Sequence, residues 1–159
     1  MGLFANSRQA NINSAIAMVE DVLVELGYFL NDSREAAPGD AVRAWTVRKG
    51  SALVRILVSD DQKDVHLRVV SVVMTLTPDV DEASLYRHLL TMNNRQIQGA
   101  AFAIEDSRVL LLTERSTMDL DRSEVLDVIE RVRHYADDYD DLLVSRFGGL
   151  LGTGSEPSP

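Results

Sequence analysis

The sequence contains no cysteine and no long uninterrupted hydrophobic run. The absence of cysteine excludes disulfides, thiolate nucleophiles and cysteine-ligated zinc sites, and it fits a reducing cytoplasm, which is the predicted location. No segment approaches the roughly 18 apolar residues that a membrane helix needs. The N-terminus also lacks the basic start and apolar run of a signal peptide, so we expect no membrane partner.

Acidic residues outnumber basic residues by 25 to 16, which gives a formal net charge of −9. A negative protein repels phosphate backbones, so nucleic-acid binding is not expected. The same charge would keep a protein that exposes apolar surface soluble, and it would attract a basic or amphipathic partner. A length of 159 residues with a 45% apolar fraction suits one domain with a hydrophobic core.

No group of residues has the pattern of a catalytic or metal site. His66, His88 and His134 fall in different predicted elements, and none has a second histidine at ligand spacing. No serine lies in a G-x-S-x-G context, and no glycine-rich loop resembles a phosphate-binding loop. We therefore predict a non-enzymatic protein without cofactors or metal ions.

The acidic run at residues 137–141 is the sharpest polar feature of the chain. Asp137 and Asp141 are four residues apart, so on a helix they would share a face and offer two carboxylates to a divalent metal in an enzyme. The alternative is a solvated helix face beside a buried Tyr139, because the glycine-bearing loop of a calcium site is absent.

Hydrophobic periodicity predicts an α+β domain over residues 1–149, with a five-stranded antiparallel sheet in the order α-β-β-β-α-β-β-α. The helices are predicted over residues 7–26, 79–94 and 121–147, the last ending at a glycine pair. The strands are predicted over residues 41–48, 52–59, 65–76, 98–104 and 108–114. A loop is expected over residues 31–40, and residues 150–159 are predicted to form a disordered C-terminal tail.

Local signals mark three helix ends. Gly27 is well placed to end the first helix in a left-handed conformation. Asp79 and Glu82 are three residues apart, which is the spacing of a capping box with aspartate as the cap. Asp121 and Glu124 repeat this spacing at the start of the last helix.

The third predicted strand, residues 65–76, is apolar on both faces from Val69 onward, so something must cover its second face. We predict a homodimer interface with an additional groove for a peptide; the alternative is a monomer in which the second helix covers the apolar set. Trp45, the only tryptophan, is either packed in the core or part of this surface. The predicted interface residues are Trp45, Val70, Val72, Met74, Leu85, Leu89, Met92, Ile97 and Ala101.

Four segments resemble motifs of the type III secretion chaperone family and the related YbjN-like proteins. Residues 89–93 (LLTMN) resemble the LL-x-x-N helix end of that superfamily. Residues 99–104 (GAAFAI) and 108–113 (RVLLLT) resemble the two strands that follow it. Residues 136–142 (ADDYDDL) resemble the A-D-x-Y/L segment of the last helix, and the similarity covers residues 12–149.

The resemblance implies a cytoplasmic homodimer that holds an extended, partly unfolded segment of a secreted protein against apolar patches. Regulatory or peptide-binding roles are implied for the YbjN-like branch, so the alternative is a regulatory domain that binds a folded partner without chaperone activity. The expected partners are therefore a second copy of the chain and an extended peptide segment or partner protein.

Overall fold

A computed structural model describes residues 2–152, with side chains from Ser7 onward. The predicted α+β class with an antiparallel sheet is confirmed, although the described strands number seven where five are predicted. Among the described helices, none combines the length and apolar character that crossing a bilayer requires.

In chain order the elements are α1 (Gly2–Glu25), α2 (Leu30–Ser33), β1 (Arg34–Glu35), β2 (Ala41–Lys49), β3 (Ala52–Asp60), β4 (Val65–Thr75), α3 (Glu82–Arg95), β5 (Ala101–Glu105), β6 (Arg108–Ser116), α4 (Arg122–Phe147) and β7 (Leu150–Leu151).

Six strands form a sheet in the order β1-β2-β3-β4-β6-β5, and β7 pairs with β4 outside that order. The pairs β1–β2, β4–β7 and β5–β6 are antiparallel. Because β5 stands at one end of the order, one of its sides has no strand neighbour within residues 2–152. Side chains alternate between the two faces of a strand, so pairing register decides which residues share a face.

The two strands that the sequence pattern does not predict are β1 and β7, each two residues long. β1 and most of α2 fall inside the loop predicted over residues 31–40. β7 falls at the start of the predicted tail, of which residues 153–159 lie outside the described part of the chain. Elements this short have no hydrophobic period, and it is their pairing with β2 and β4 that defines them.

The chain divides into two compact units. The first unit comprises Met1–Val47, Arg55–Val69 and Glu114–Ile129. The second unit comprises Arg48–Val54, Val70–Thr113 and Glu130–Pro159. Four strands and one helix contribute residues to both units, namely β2, β3, β4, β6 and α4.

In the first unit, α1 buries one apolar stripe and ends at the predicted glycine. Gly27 has a φ of 87°, and its N–H donates to the Val24 carbonyl at 3.0 Å. The Tyr28 N–H donates to the Leu23 carbonyl at 2.9 Å. These two bonds form a Schellman motif, so the predicted end of the helix is confirmed. The buried stripe consists of Ile12, Ala15, Val19, Val22 and Leu23.

Of the two predicted capping boxes, the one at α4 is confirmed and the one at α3 is wrong. Asp121 Oδ1 accepts from the Glu124 N–H at 2.9 Å, and Glu124 Oε2 accepts from the Asp121 N–H at 3.1 Å. At α3 the cap is Asp81 rather than Asp79, since Asp81 accepts from the Ser84 N–H at 3.2 Å. Aspartate at either position offers the same cap chemistry, so the choice depends on where the chain turns into the helix.

Candidate functional site

One face of the sheet in the second unit is covered by α3 and α4. Side chains of both helices meet those of the strands in one buried cluster. The Phe102 ring packs edge-on against Tyr139, with ring centroids 6.0 Å apart. This face is therefore the hydrophobic core of the unit. Its strand members are Ala52, Val73, Met74, Phe102, Val109 and Leu111, and its helix members include Leu85, Leu89, Met92, Ala136 and Leu143.

The opposite face of these strands, the outer face, is apolar but only half-buried. Val70 and Val72 alternate with the buried Val73 along β4. Between β5 and β6, Ala101 lies opposite Leu112, and both are half-buried. The side chains of the outer face still expose apolar area that a partner would remove from water. The outer face consists of Leu53, Val70, Val72, Ala101, Ala103 and Leu112.

The accessibility of apolar groups varies along β5 and β6. Leu110, which lies opposite Ala103, is only 4% exposed. At the end of β5, by contrast, Ile104 is 42% exposed although its opposite residue Val109 is fully buried. Ile104 shares the face of Phe102, so apolar surface is also accessible on the helix-covered face, where β5 reaches its last residues.

Eight of the nine predicted interface residues lie in the second unit, and they divide between its two sheet faces. Val70, Val72 and Ala101 lie on the outer face and are half-buried. The other five belong to the buried cluster, with no more than 5% of any of them exposed, and it is there that α3 packs. Their contact with a partner stays a prediction. These five are Met74, Leu85, Leu89, Met92 and Ile97.

Trp45, the ninth predicted interface residue, belongs to the first unit. It lies on β2 and is fully buried, so it occupies the core position that was one of its two predicted alternatives. Its indole Nε1 has no hydrogen-bond partner among the described residues. Its role in partner binding stays a prediction.

Asn93, in the last turn of α3, hydrogen-bonds to one residue of β5 on the side of that strand opposite β6. Its Oδ1 accepts from the Phe102 N–H at 2.7 Å, and its Nδ2 donates to the Phe102 carbonyl at 3.2 Å. A neighbouring strand would make the same two bonds, so the side-chain amide takes the place of one strand residue. Asn93 is the asparagine of the LL-x-x-N motif.

Two residues of the β2–β3 turn contact the acidic segment of α4. Ser51 Oγ donates to Asp140 Oδ2 at 2.6 Å, and Asp140 is buried. Gly50 has a φ of 54°, and a Cβ at this position would overlap the Asp137 carboxylate. Asp137 and Asp140 are three residues apart and so lie on the same side of the helix. The acidic run therefore fixes the turn against α4.

The acidic run divides between solvent and the β2–β3 turn. Asp138 and Asp141 are exposed, as a solvated face requires, whereas Asp137 and Asp140 face the turn. Tyr139 is half-buried beside the core cluster. Within the described residues, no group of three or more His, Asp or Glu side chains is arranged to hold a metal ion.

His88, on α3, packs against the ring of Phe147 near the end of α4, with ring centroids 5.3 Å apart. Burial lowers the pKa of His88, and the positive charge of Arg146 lowers it further. The neutral imidazole is thus favoured in this position, because the charged form would lose hydration and face a like charge.

A family described as "T3SS (YopN, CesT) and YbjN peptide-binding chaperone 1", or TY-Chap1, matches residues 13–152. The chain belongs to this family. The resemblance read from the motifs at residues 89–93, 99–104, 108–113 and 136–142 is thereby confirmed. TY-Chap1 is a family of peptide-binding chaperones, which are not enzymes. No curated protein matches the chain.

Solved structures share the TY-Chap1 fold at low sequence identity. The HopA1–SchA chaperone–effector complex contains a chain with 9% identity and a TM-score of 0.57, with 84% of this chain and 97% of that chain covered. The ExsC–ExsE complex gives 12% identity and a TM-score of 0.56, with coverage of 90% and 97%. An uncharacterized protein from Methanothermobacter thermautotrophicus gives 14% identity and a TM-score of 0.59, with coverage of 83% and 98%.

The sequence prediction missed three members of the outer face: Leu53, Ala103 and Leu112. Period-two alternation was a usable signal, since each of them is flanked by residues of the opposite face. Alternation separates two sets of residues in each strand, but pairing register is needed to decide which sets lie together. The role of Asn93 had a signal too, because an amide follows an apolar stripe at the end of α3.

Proposed function

We propose that the protein is a non-enzymatic, homodimeric chaperone-like module of the cytoplasm that holds an extended segment of a partner protein. Membership of a peptide-binding chaperone family supports the general activity. The observation that carries the proposal is the outer face, where six apolar side chains on neighbouring strands remain half-buried. Covering such a surface releases water from apolar groups and favours association.

An extended chain suits this surface better than a helix does. Side chains of an extended peptide alternate with a period of two, as those of a strand do, so every second residue would face the same side. Apolar residues at alternate positions would then lie over Val72 and Leu112, which belong to adjacent strands. Main-chain hydrogen bonds to a strand edge would add affinity that is independent of the peptide sequence.

Among the nine predicted interface residues, we assign direct partner contact to Val70, Val72 and Ala101. The five that belong to the buried cluster of the second unit support the surface from behind, because they pack against the other face of the strands. The net charge of −9 favours partner segments that carry basic residues, because opposite charges raise the rate of encounter.

Partner capture by matched variants tests the proposed activity. Val72→Asp places a charge on the outer face, whereas Val24→Asp makes the same change at a valine on α1 that is already 57% exposed. We expect affinity-tagged Val72→Asp to lose the partner that the wild type co-purifies, and Val24→Asp to retain it. Equal capture by both variants would refute the outer face as the binding surface.

Limited proteolysis of the captured complex distinguishes a chaperone from a regulator. A chaperone should protect one contiguous, otherwise protease-sensitive segment of its partner, while cleavage continues on either side. Protection of a compact domain would instead support the regulatory alternative and contradict chaperone activity.

Sedimentation velocity at micromolar concentration tests the homodimer. We expect a species with twice the 17.6 kDa mass of the chain. A single species at the monomer mass would contradict the dimer without affecting the proposed peptide contact.

A further inference from the structure

The end of β4 is occupied by the chain's own C-terminal strand. Thr75 lies opposite Leu150, and Met74 lies opposite Leu151, in an antiparallel pair. β4 already has β3 and β6 as neighbours, and the Leu76 N–H still donates to the Ser107 carbonyl at 2.7 Å on the β6 side. β7 therefore lies on the β3 side of β4, along a stretch that β3 leaves open.

The residues around β7 are suited to close approach. Gly149 has a φ of 79°, and a Cβ there would lie 2.7 Å from the Thr75 carbonyl oxygen and 2.8 Å from Met74 Cε. A Cβ on Gly152 would overlap the Val72 carbonyl oxygen. Only glycine at these two positions lets the segment reach the edge of β4 in this register. The two glycines of the sequence Gly-Leu-Leu-Gly thus allow the main chain of this segment to lie against the main chain of β4.

Little apolar burial holds β7 in place. Leu150 is 60% exposed and Leu151 is 36% exposed, so both side chains keep much of their contact with water. The strand spans only two residues, and its attachment depends mainly on main-chain hydrogen bonds. Another extended segment would offer the same bonds to β4, which makes β7 exchangeable.

We propose that the Met74–Thr75 edge of β4 is a docking site for an extended partner segment, and that β7 fills this site until the partner displaces it. The matching partner segment has two apolar residues between glycines, because the same steric limits apply to any chain in this register. This inference rests on the proposed function, since it assigns the strand edge at which the held segment pairs.

Fluorescence anisotropy with a labelled peptide of sequence GGLLGTG, which corresponds to residues 148–154, tests the site. The full-length Gly152→Val variant should release β7, because the added side chain overlaps Val72. A tethered strand competes at an effective concentration of about 1 mM, so if the open site binds this segment with a Kd of about 0.1 mM, the peptide should bind this variant about tenfold more tightly than the wild type. A variant that ends at Gly149 should bind the peptide equally well.

The matched control is the same peptide with valine in place of the glycine that corresponds to Gly152. This control peptide should not bind. Circular dichroism establishes that each variant is folded. The proposal is overturned if neither folded variant binds the peptide, or if the control peptide binds as tightly. If the peptide fails to bind but the partner is still captured through the outer face, only the β4 site is refuted. If the peptide binds but no partner is captured through the outer face, only the proposed function is refuted.

Discussion

Leu111 and Leu112 are neighbours in β6, yet they belong to different parts of the molecule. Leu111 is fully buried in the core cluster, whereas Leu112 is half-buried on the outer face opposite Ala101. Their chemistry is identical, so the difference comes from the alternation of a strand between a helix-covered face and an open one. Residues on the covered face hold the fold together, and residues on the outer face retain apolar area for a partner.

Truncation of these two leucines should change stability by very different amounts. Leu111→Ala should destabilise the protein by about 3 kcal/mol, because it opens a cavity in the core. Leu112→Ala should lower the free energy of unfolding by only about 1 kcal/mol, since part of that side chain remains in water. Urea denaturation of both variants measures the difference. Equal losses would contradict the distinction between the faces.

The next effect concerns the edge of β5, where a side chain takes the place of a strand. Asn93→Ala removes both hydrogen bonds to the Phe102 main chain, and Phe102 is buried. We expect a loss of about 2 kcal/mol, because two backbone groups lose their partner. Asn94→Ala alters the adjacent exposed asparagine and should change stability by no more than about 0.5 kcal/mol. Similar values for the two variants would show that the Asn93 contact contributes nothing.

A smaller effect is expected where the β2–β3 turn meets α4. Ser51→Ala removes the hydroxyl that donates to the buried Asp140 carboxylate. The free energy of unfolding should fall by about 1 kcal/mol, as the carboxylate loses one donor in a site with little water. Ser145→Ala, at an exposed serine of the same helix, serves as the control and should be close to neutral in thermal denaturation.

The smallest effect is a dependence of stability on pH. The lowered pKa of folded His88 means that the unfolded chain takes up a proton first as the pH falls. Stability should therefore be constant above the unfolded value of about 6.5 and decline below it, towards the folded pKa. His88→Gln should remove this part of the decline. Thermal denaturation between pH 5 and 7 measures it, and identical profiles for wild type and variant would contradict the shift.

Signals that act within a few residues allowed much of the fold to be predicted. Gly27 ends α1 and the Asp121–Glu124 pair caps α4, because both features depend on neighbouring backbone groups. The sequence predicts Asp79 as the cap of α3 where the structure has Asp81, since two nearby aspartates give the same local signal. Local chemistry thus predicts that a helix begins or ends, but it predicts the exact terminal residue less reliably.

The site was harder to predict because it depends on contacts between distant segments. Apolar residues such as Val72 and Met74 look alike in sequence, yet one lies on the outer face and the other in the core. Their separation depends on strand register and on where α3 packs, and neither is encoded by a local period. β7 illustrates the same point, since the two leucines become a strand only by pairing with β4.

Site-specific photo-cross-linking in the native cell tests whether the outer face contacts the partner. A benzophenone amino acid would replace Leu112 on the outer face or, as the control, Met118, which is 69% exposed. We expect cross-links from position 112 to one contiguous, extended segment of a partner protein and none from position 118. Cross-links confined to position 118, or none from position 112, would contradict this contact.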